Sequence, residues 1–231
     1  MGKDVIVACD FSSAEETLRF LSAFHGRKPY IKIGMELYYS AGPDIVYKAK
    51  EMGCRVFLDL KLHDIPNTVK KTAAVLSRLE VDMTNLHAAG GSQMMRGAAE
   101  EIKSAGGKTL LIAVTQLTST GDEMLKNELL IGAPMEDVVA SYAKNAMASG
   151  LDGVVCSPLE AGRVHTVCSP SFLTVTPGVR FDEASRGDQT RIATPARAKV
   201  LGSDYIVVGR PITAAADPVA AYERCVADFV D

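Results

Sequence analysis

The chain has 231 residues, 47% hydrophobic and 23% charged, the balance of a globular protein with one large domain or two small ones. Lys+Arg total 25 against 28 Asp+Glu, a net charge of −3 without a long run of one sign, which excludes the basic field that nucleic acid or an anionic membrane would select. The five cysteines, Cys9, Cys54, Cys156, Cys168 and Cys225, are odd in number and form no C-x-x-C, so they read as buried thiols of a reducing compartment and not as a disulfide frame or zinc site.

The opening MGKDVIVACDF carries Asp4 and Asp10 around a short apolar run, unlike a signal peptide. VIVACD (5–10) is strand-like, and Ser13 with Glu16 forms a candidate capping box for a helix reaching residue 24. YIKIG (30–34) precedes a helix opening at Pro43 and Asp44, and RVFLDLK (55–61) precedes one over 66–79. VDMTNLHA (81–88) leads through Gly90 and Gly91 into another helix. TLLIAVTQL (109–117) is followed by helical segments near 123–130 and 135–148. GVVCS (153–157), FLTVTPG (172–178) and YIVVGR (205–210) complete the strands, with helices at about 159–166, 190–201 and 218–229.

That is about eight strand–helix units with largely apolar, β-branched strands, as a parallel sheet covered by helices requires. No linker or break in composition divides residues 1–231, and no apolar stretch reaches the roughly 18 residues of a membrane span. The expected architecture is a single-domain α/β protein, a closed (β/α)8 TIM barrel, in the cytoplasm. The lack of G-x-G-x-x-G after the first strand weakens the alternative of an open dinucleotide-binding sheet.

In such a barrel the chemistry sits at the C-terminal ends of the strands. Alternation puts Asp59 and Lys61 on one face with Phe57, whereas Val56, Leu58 and Leu60 face the helices. The same parity places Lys32 with Tyr30, and Asp10 with Ala8 and Ile6, while Asp64 falls in the loop beyond. Barrel-mouth salt bridges are one reading of this set. The other is a preorganised electrostatic site with a lysine proton donor, because buried ion pairs stabilise poorly and five charges at one rim are costly. Metal binding by Asp59, His63 and Asp64 is a rival use, although Lys61 already supplies a cation's charge between two carboxylates.

TPGVR (176–180), the polar stretch 181–189 and VVGRPI (207–212) end the last two strands, where barrels of this kind usually bind phosphate. Gly209 permits close backbone approach and Arg210 offers a planar fork, though a solvent-exposed arginine explains the latter equally well. Gln189 could reach the same group, and the loop of about 180–189 could close as a lid. Thr118 in TQLTST could bond a heterocycle edge, while turn chemistry and helix capping explain Ser119 and Thr120 about as well. His63 and His87 lie near strand ends without a recognisable catalytic spacing.

Asp59-x-Lys61-x-x-Asp64-Ile65-x-x-Thr68, with Lys32 upstream and Asp10, TPGVR, Gln189 and VGRPIT in order, resembles the orotidine 5′-phosphate decarboxylase family over essentially the whole chain. A sister group of Mg²⁺-dependent enzymes acting on sugar phosphates shares D-x-K-x-x-D, but the continuation Ile65-Pro66-Asn67-Thr68 is similar to the orotidylate enzymes. The resemblance implies conversion of orotidine 5′-monophosphate (OMP) to UMP and CO2 in de novo pyrimidine biosynthesis, with no metal or organic cofactor. It implies a charge network of Lys32, Asp59, Lys61 and Asp64, with Lys61 protonating C6. Asp10, Lys32 and Thr68 would contact ribose, and Thr118 the pyrimidine. Pro177, Arg180 and Gln189 would cover base and phosphate, and Gly209 and Arg210 would grip the phosphate. It also implies a homodimer in which Asp64, Ile65 and Thr68 enter the partner's site. A sugar-phosphate decarboxylase or aldolase of the Mg²⁺ group, or a barrel that only binds nucleotide, are the alternatives.

Overall fold

A computed structural model of the chain describes residues 3–181 and 192–231. Eight strands form one closed parallel barrel in sequence order, β1 pairing with β8. They are β1 (Asp4–Ala8), β2 (Tyr30–Gly34), β3 (Arg55–Leu62), β4 (Met83–His87), β5 (Leu110–Val114), β6 (Gly153–Val155), β7 (Leu173–Thr176) and β8 (Tyr205–Val208). Helices alternate with them: α1 (Ala14–Ser22), α2 (Met35–Ala41), α3 (Asp44–Glu51), α4 (Pro66–Arg78), α5 (Gly91–Ser104), α6 (Asp122–Asn127), α7 (Met135–Ala148), α8 (Ala161–Val167), α9 (Pro195–Leu201), α10 (Arg210–Thr213) and α11 (Pro218–Phe229).

The helix starts follow local chemistry. Ser13 Oγ accepts a bond from the Glu16 N–H at 3.2 Å, which is the N-cap half of the expected box. Thr194 Oγ1 accepts from Arg197 N–H at 3.1 Å, so α9 begins at Pro195 rather than near 190. Two short helices were not anticipated: α2 follows β2 directly, and α10 follows Gly209. Neither start has a side-chain cap to mark it.

Side-chain alternation divides the apolar residues into an inside and an outside. Ile6, Ala8, Tyr30, Phe57, Met83, Ile112, Val175 and Val207 fill the barrel. The outer shell is made of two separate clusters. In one, Val5, Val7, Ile31, Ile33, Val56, Leu58, Ile206 and Val208 pack against Leu21, Ile45, Tyr222 and Phe229. In the other, Leu86, Leu111, Ala113 and Val154 pack against Met94, Met95, Val139 and Val164. Leu62 touches both.

The N-terminal rim is fixed by a repeated device. Asp82, Asp152 and Asp204, each preceding an even-numbered strand, accept a 2.8 Å bond from the N–H of Val56, Leu111 and Thr174 on the strand before. β6 can sit close to β7 because Gly153 has no side chain: a Cβ there would lie 2.4 Å from Leu173 O. Among the described residues no helix is long and apolar enough to cross a membrane.

Candidate active site

The mouth charges expected from strand parity converge. Lys32 Nζ on β2 lies 2.8 Å from Asp10 Oδ1 and 3.4 Å from Asp59 Oδ2, and Lys61 Nζ lies 2.7 Å from Asp59 Oδ1. Lys32 and Asp59 are nearly buried, whereas the Asp10 side chain is 62% exposed at the rim. Burial alone would raise the Asp59 carboxyl, but Lys32, Lys61 and hydrogen bonds from Lys61 and Asn85 outweigh it and hold it below its ordinary value. Burial likewise would lower Lys32, and Asp59 and Asp10 reverse the sign, so its pKa is raised. At neutral pH Asp59 is thus ionised and Lys32 protonated, and the two stand between Asp10 and Lys61.

Simple alternation is not the whole reason that Lys61 reaches Asp59. Between Leu58↔Thr84 and Leu62↔Leu86 the β3–β4 register shifts, with β3 advancing four residues while β4 advances two. Within that excursion Lys61 adopts φ 51°, a left-handed conformation uncommon for a residue with a Cβ. Asn85, fully buried on β4, donates from Nδ2 to Asp59 Oδ1 at 2.7 Å and accepts the Lys61 N–H on Oδ1 at 2.8 Å. Gly34 is paired with Asp59 and makes room for the network, since a Cβ there would lie 3.2 Å from Lys32 Nζ and 3.3 Å from Asp10 Oδ1.

Asp10, Lys32, Asp59 and Lys61 form one wall of a cavity of about 620 Å³ at the C-terminal mouth. Thr118, Pro177, Arg180, Gly209 and Arg210 line the remainder, with Gln116 and Ser119 beside Thr118. Val114, Val155, Val175 and Val207 supply its apolar floor. A flat ring could rest on that floor with one edge toward Thr118 and another toward Lys61. Arg180 is nearly buried, donating from Nη1 to Val179 O at 2.9 Å and from its backbone N–H to Ala193 O at 3.0 Å. The latter bond and that from Ala193 N–H to Gly178 O join the two ends of the loop expected to act as a lid. Gln189 and most of that loop lie outside the described residues.

Three expected site residues are not brought to this cavity within one chain. Asp64, Ile65 and Thr68 are exposed, and the Asp64 carboxylate accepts the N–H of Ile65 at 2.7 Å. His63 and His87 stack with ring centroids 5.5 Å apart, and burial followed by the charges of His63 and Lys61 lowers the pKa of His87. Asn85, Gln116 and Gly34 are the site residues that the sequence reading passed over. Asn85 had a signal, because a carboxamide sharing a strand face with Met83 needs a polar partner inside the barrel.

Comparison with known proteins identifies the family of the chain. Residues 3–225 match the model of the "Orotidine 5'-phosphate decarboxylase / HUMPS family". An orotidine 5′-phosphate decarboxylase of a Geobacillus species is 53% identical over 97% of this chain and 95% of its own length. The one from Geobacillus thermodenitrificans is 54% identical over 95% and 93%. The crystal structure of orotidine 5′-phosphate decarboxylase from Lactobacillus acidophilus superposes with a TM-score of 0.89 at 44% identity, over 99% of this chain and all of that one. With the barrel, the lysine–aspartate string and the cavity already in place, these relatives over nearly the full length show that the chain belongs to the orotidine 5′-phosphate decarboxylase family.

Proposed function

We propose that the chain decarboxylates OMP to UMP with the string Asp10–Lys32–Asp59–Lys61 as its reactive wall. The observation that carries this is the Lys61 ammonium 2.7 Å from a buried carboxylate, at the edge of a cavity that Gly209 and Arg210 also line. The C6–carboxylate bond breaks heterolytically, CO2 leaves, and the electron pair stays in the ring plane at C6, where the ring delocalises it poorly. Lys61 stabilises that pair and passes its proton to C6, then regains one from solvent. Arg210 and the Gly209 backbone hold the phosphate, Asp10 and Lys32 the ribose hydroxyls, and Thr118 an edge of the base. The phosphate is remote from C6, so its binding energy serves closure of the site and the transition state.

Metal is not needed in this scheme, because Lys61 Nζ already occupies the cationic position against Asp59. The test is a spectrophotometric assay in EDTA. OMP absorbance should fall at the rate seen without chelator, whereas tight UMP binding with no absorbance change would leave only a nucleotide-binding barrel.

The functional unit in this proposal is a homodimer. Asp64, Ile65 and Thr68 are exposed in one chain, with Ile65 68% exposed, and they would complete the partner's cavity. Mixing inactive Lys61→Ala with inactive Asp64→Ala subunits should then restore activity, since each mixed dimer has one site free of both substitutions. Failure of mixed dimers to recover activity would refute sharing.

A further inference from the structure

We propose that Asn85 is a positioning residue for the reaction, holding both the Asp59 carboxylate and the Lys61 backbone in their working geometry. The inference rests on Lys61 being the proton donor. Its basis is a pair of bonds with opposite polarity on one fully buried side chain. Asp59 Oδ1 can only accept, and the Lys61 backbone N–H can only donate. A carboxamide satisfies both at once, Nδ2 toward the carboxylate at 2.7 Å and Oδ1 toward the N–H at 2.8 Å. Neither a carboxylate nor an aliphatic residue of similar size can do so.

The Lys61 N–H needs such a partner because of the backbone around it. The β3–β4 ladder breaks between Leu58 and Leu62, so the Asn85 side chain takes the place of a strand carbonyl as acceptor. Lys61 sits there at φ 51°, a conformation that persists in a non-glycine residue only when its surroundings over-determine it. The side chain that leaves this backbone delivers Nζ to Asp59 Oδ1, the same oxygen that Asn85 Nδ2 donates to. Asn85 therefore ties the origin of the lysine side chain to the counter-charge at its tip. Released from Asn85, Lys61 can relax toward ordinary β geometry and carry its ammonium away from C6.

Two variants separate positioning from mere support. Asn85→Ala removes both bonds, and a misplacement of about 1 Å at a reacting group costs on the order of 10²-fold in rate. The expected result is kcat for OMP reduced about 10²-fold, with the Kd of UMP, which lacks the leaving carboxylate, changed by less than about threefold. Asn85→Asp keeps size and the acceptor for Lys61 N–H but loses the donor unless the new carboxyl is protonated. The charged and titratable groups facing that position are Asp59, Lys61 and Lys32, with Asp10 and His87 next to them. Two carboxylates in contact raise the affinity for one shared proton. The kcat of Asn85→Asp relative to the parent chain should accordingly rise about tenfold between pH 8 and pH 5.5, as that proton restores a donor to Asp59.

An Asn85→Ala chain with kcat within threefold of the parent, or one losing UMP affinity as much as kcat, would overturn the proposal. So would an Asn85→Asp chain whose ratio to the parent stays flat with pH. If Asn85→Ala does not fold, the pH ratio of Asn85→Asp decides alone. A parent chain that does not consume OMP would instead remove the functional reading itself.

Discussion

Replacing Lys61 by alanine tests the chemistry most directly. The ammonium is 2.7 Å from Asp59 Oδ1 and only partly exposed, so its field acts in a medium well below the dielectric of water. A unit charge about 4 Å from the developing carbanion contributes ~4 kcal/mol at an effective dielectric of about 20. At about 1.4 kcal/mol per decade that is roughly 10³-fold in rate. Loss of a positioned proton donor removes a further ~10² or more. We expect kcat for OMP to fall by about 10⁵-fold or more in the absorbance assay. The fold should survive, because Asp59 keeps Lys32 at 3.4 Å and Asn85 at 2.7 Å as partners. UMP affinity by calorimetry should stay within about tenfold, because the product has no charge developing at C6. Turnover within tenfold of the parent chain, with UMP still bound, would refute the role given to Lys61.

The acid limb of stability offers a second prediction. Lys32 and Lys61 overcome burial and depress the folded Asp59 pKa below 3.8, so its contribution is present above that unfolded value and lost as pH falls through the folded one. Asp59→Asn should flatten the decline of the urea midpoint below about pH 4, and an unchanged limb would show that Asp59 is not a major acid-sensitive group. At the opposite rim, Asp152→Ala strips the 2.8 Å bond from Leu111 N–H and should cost about 1–3 kcal/mol by urea denaturation with kcat unchanged. A fall in kcat there would contradict the division between a structural rim and a reactive one. Thiol labelling near neutral pH should reach Cys168 first, since it alone of the five cysteines is partly accessible. Burial pushes Cys225 up to about 12 and Cys9 higher still, so rapid labelling of all five in the folded chain would refute the core described.

Much of this was legible from the residues. YIKIG is the second strand without adjustment, and 135–148 and 218–229 are helices at the expected bounds, because apolar periodicity and the turn-forming residues beside them agree. Asp10, Lys32, Asp59 and Lys61 were legible as one cluster because strand alternation and the barrel's common mouth carry side chains to one place. What stayed hidden depends on non-local geometry. Nothing in DLKLHD marks Lys61 as left-handed, since the usual glycine or asparagine signal is absent and the shift arises from pairing with β4. Strand parity signals that Asn85 faces the barrel interior, but its bond to the Lys61 N–H follows from that shift. Gly34 read as the end of a strand, whereas its function is the space its missing side chain leaves beside Lys32. Asp64, Ile65 and Thr68 were assigned through the resemblance, and a single chain leaves them facing outward.

The split of the outer shell bears on how the barrel comes apart. The first cluster clasps β8, β1, β2 and β3 as one contiguous arc, and that arc carries Lys32, Asp59 and Lys61 and leads directly into Gly209 and Arg210. The second clasps strands from the β4–β6 arc, which contributes Asn85 and leads to Thr118. Proteins open in contiguous cooperative units whose free energies differ. Amide exchange should thus resolve two protection classes along the two arcs, with Leu62 at their seam. The ionic and phosphate-facing machinery would then ride on one cooperative unit, and loosening of the other would disturb Asn85 and the base-facing edge first.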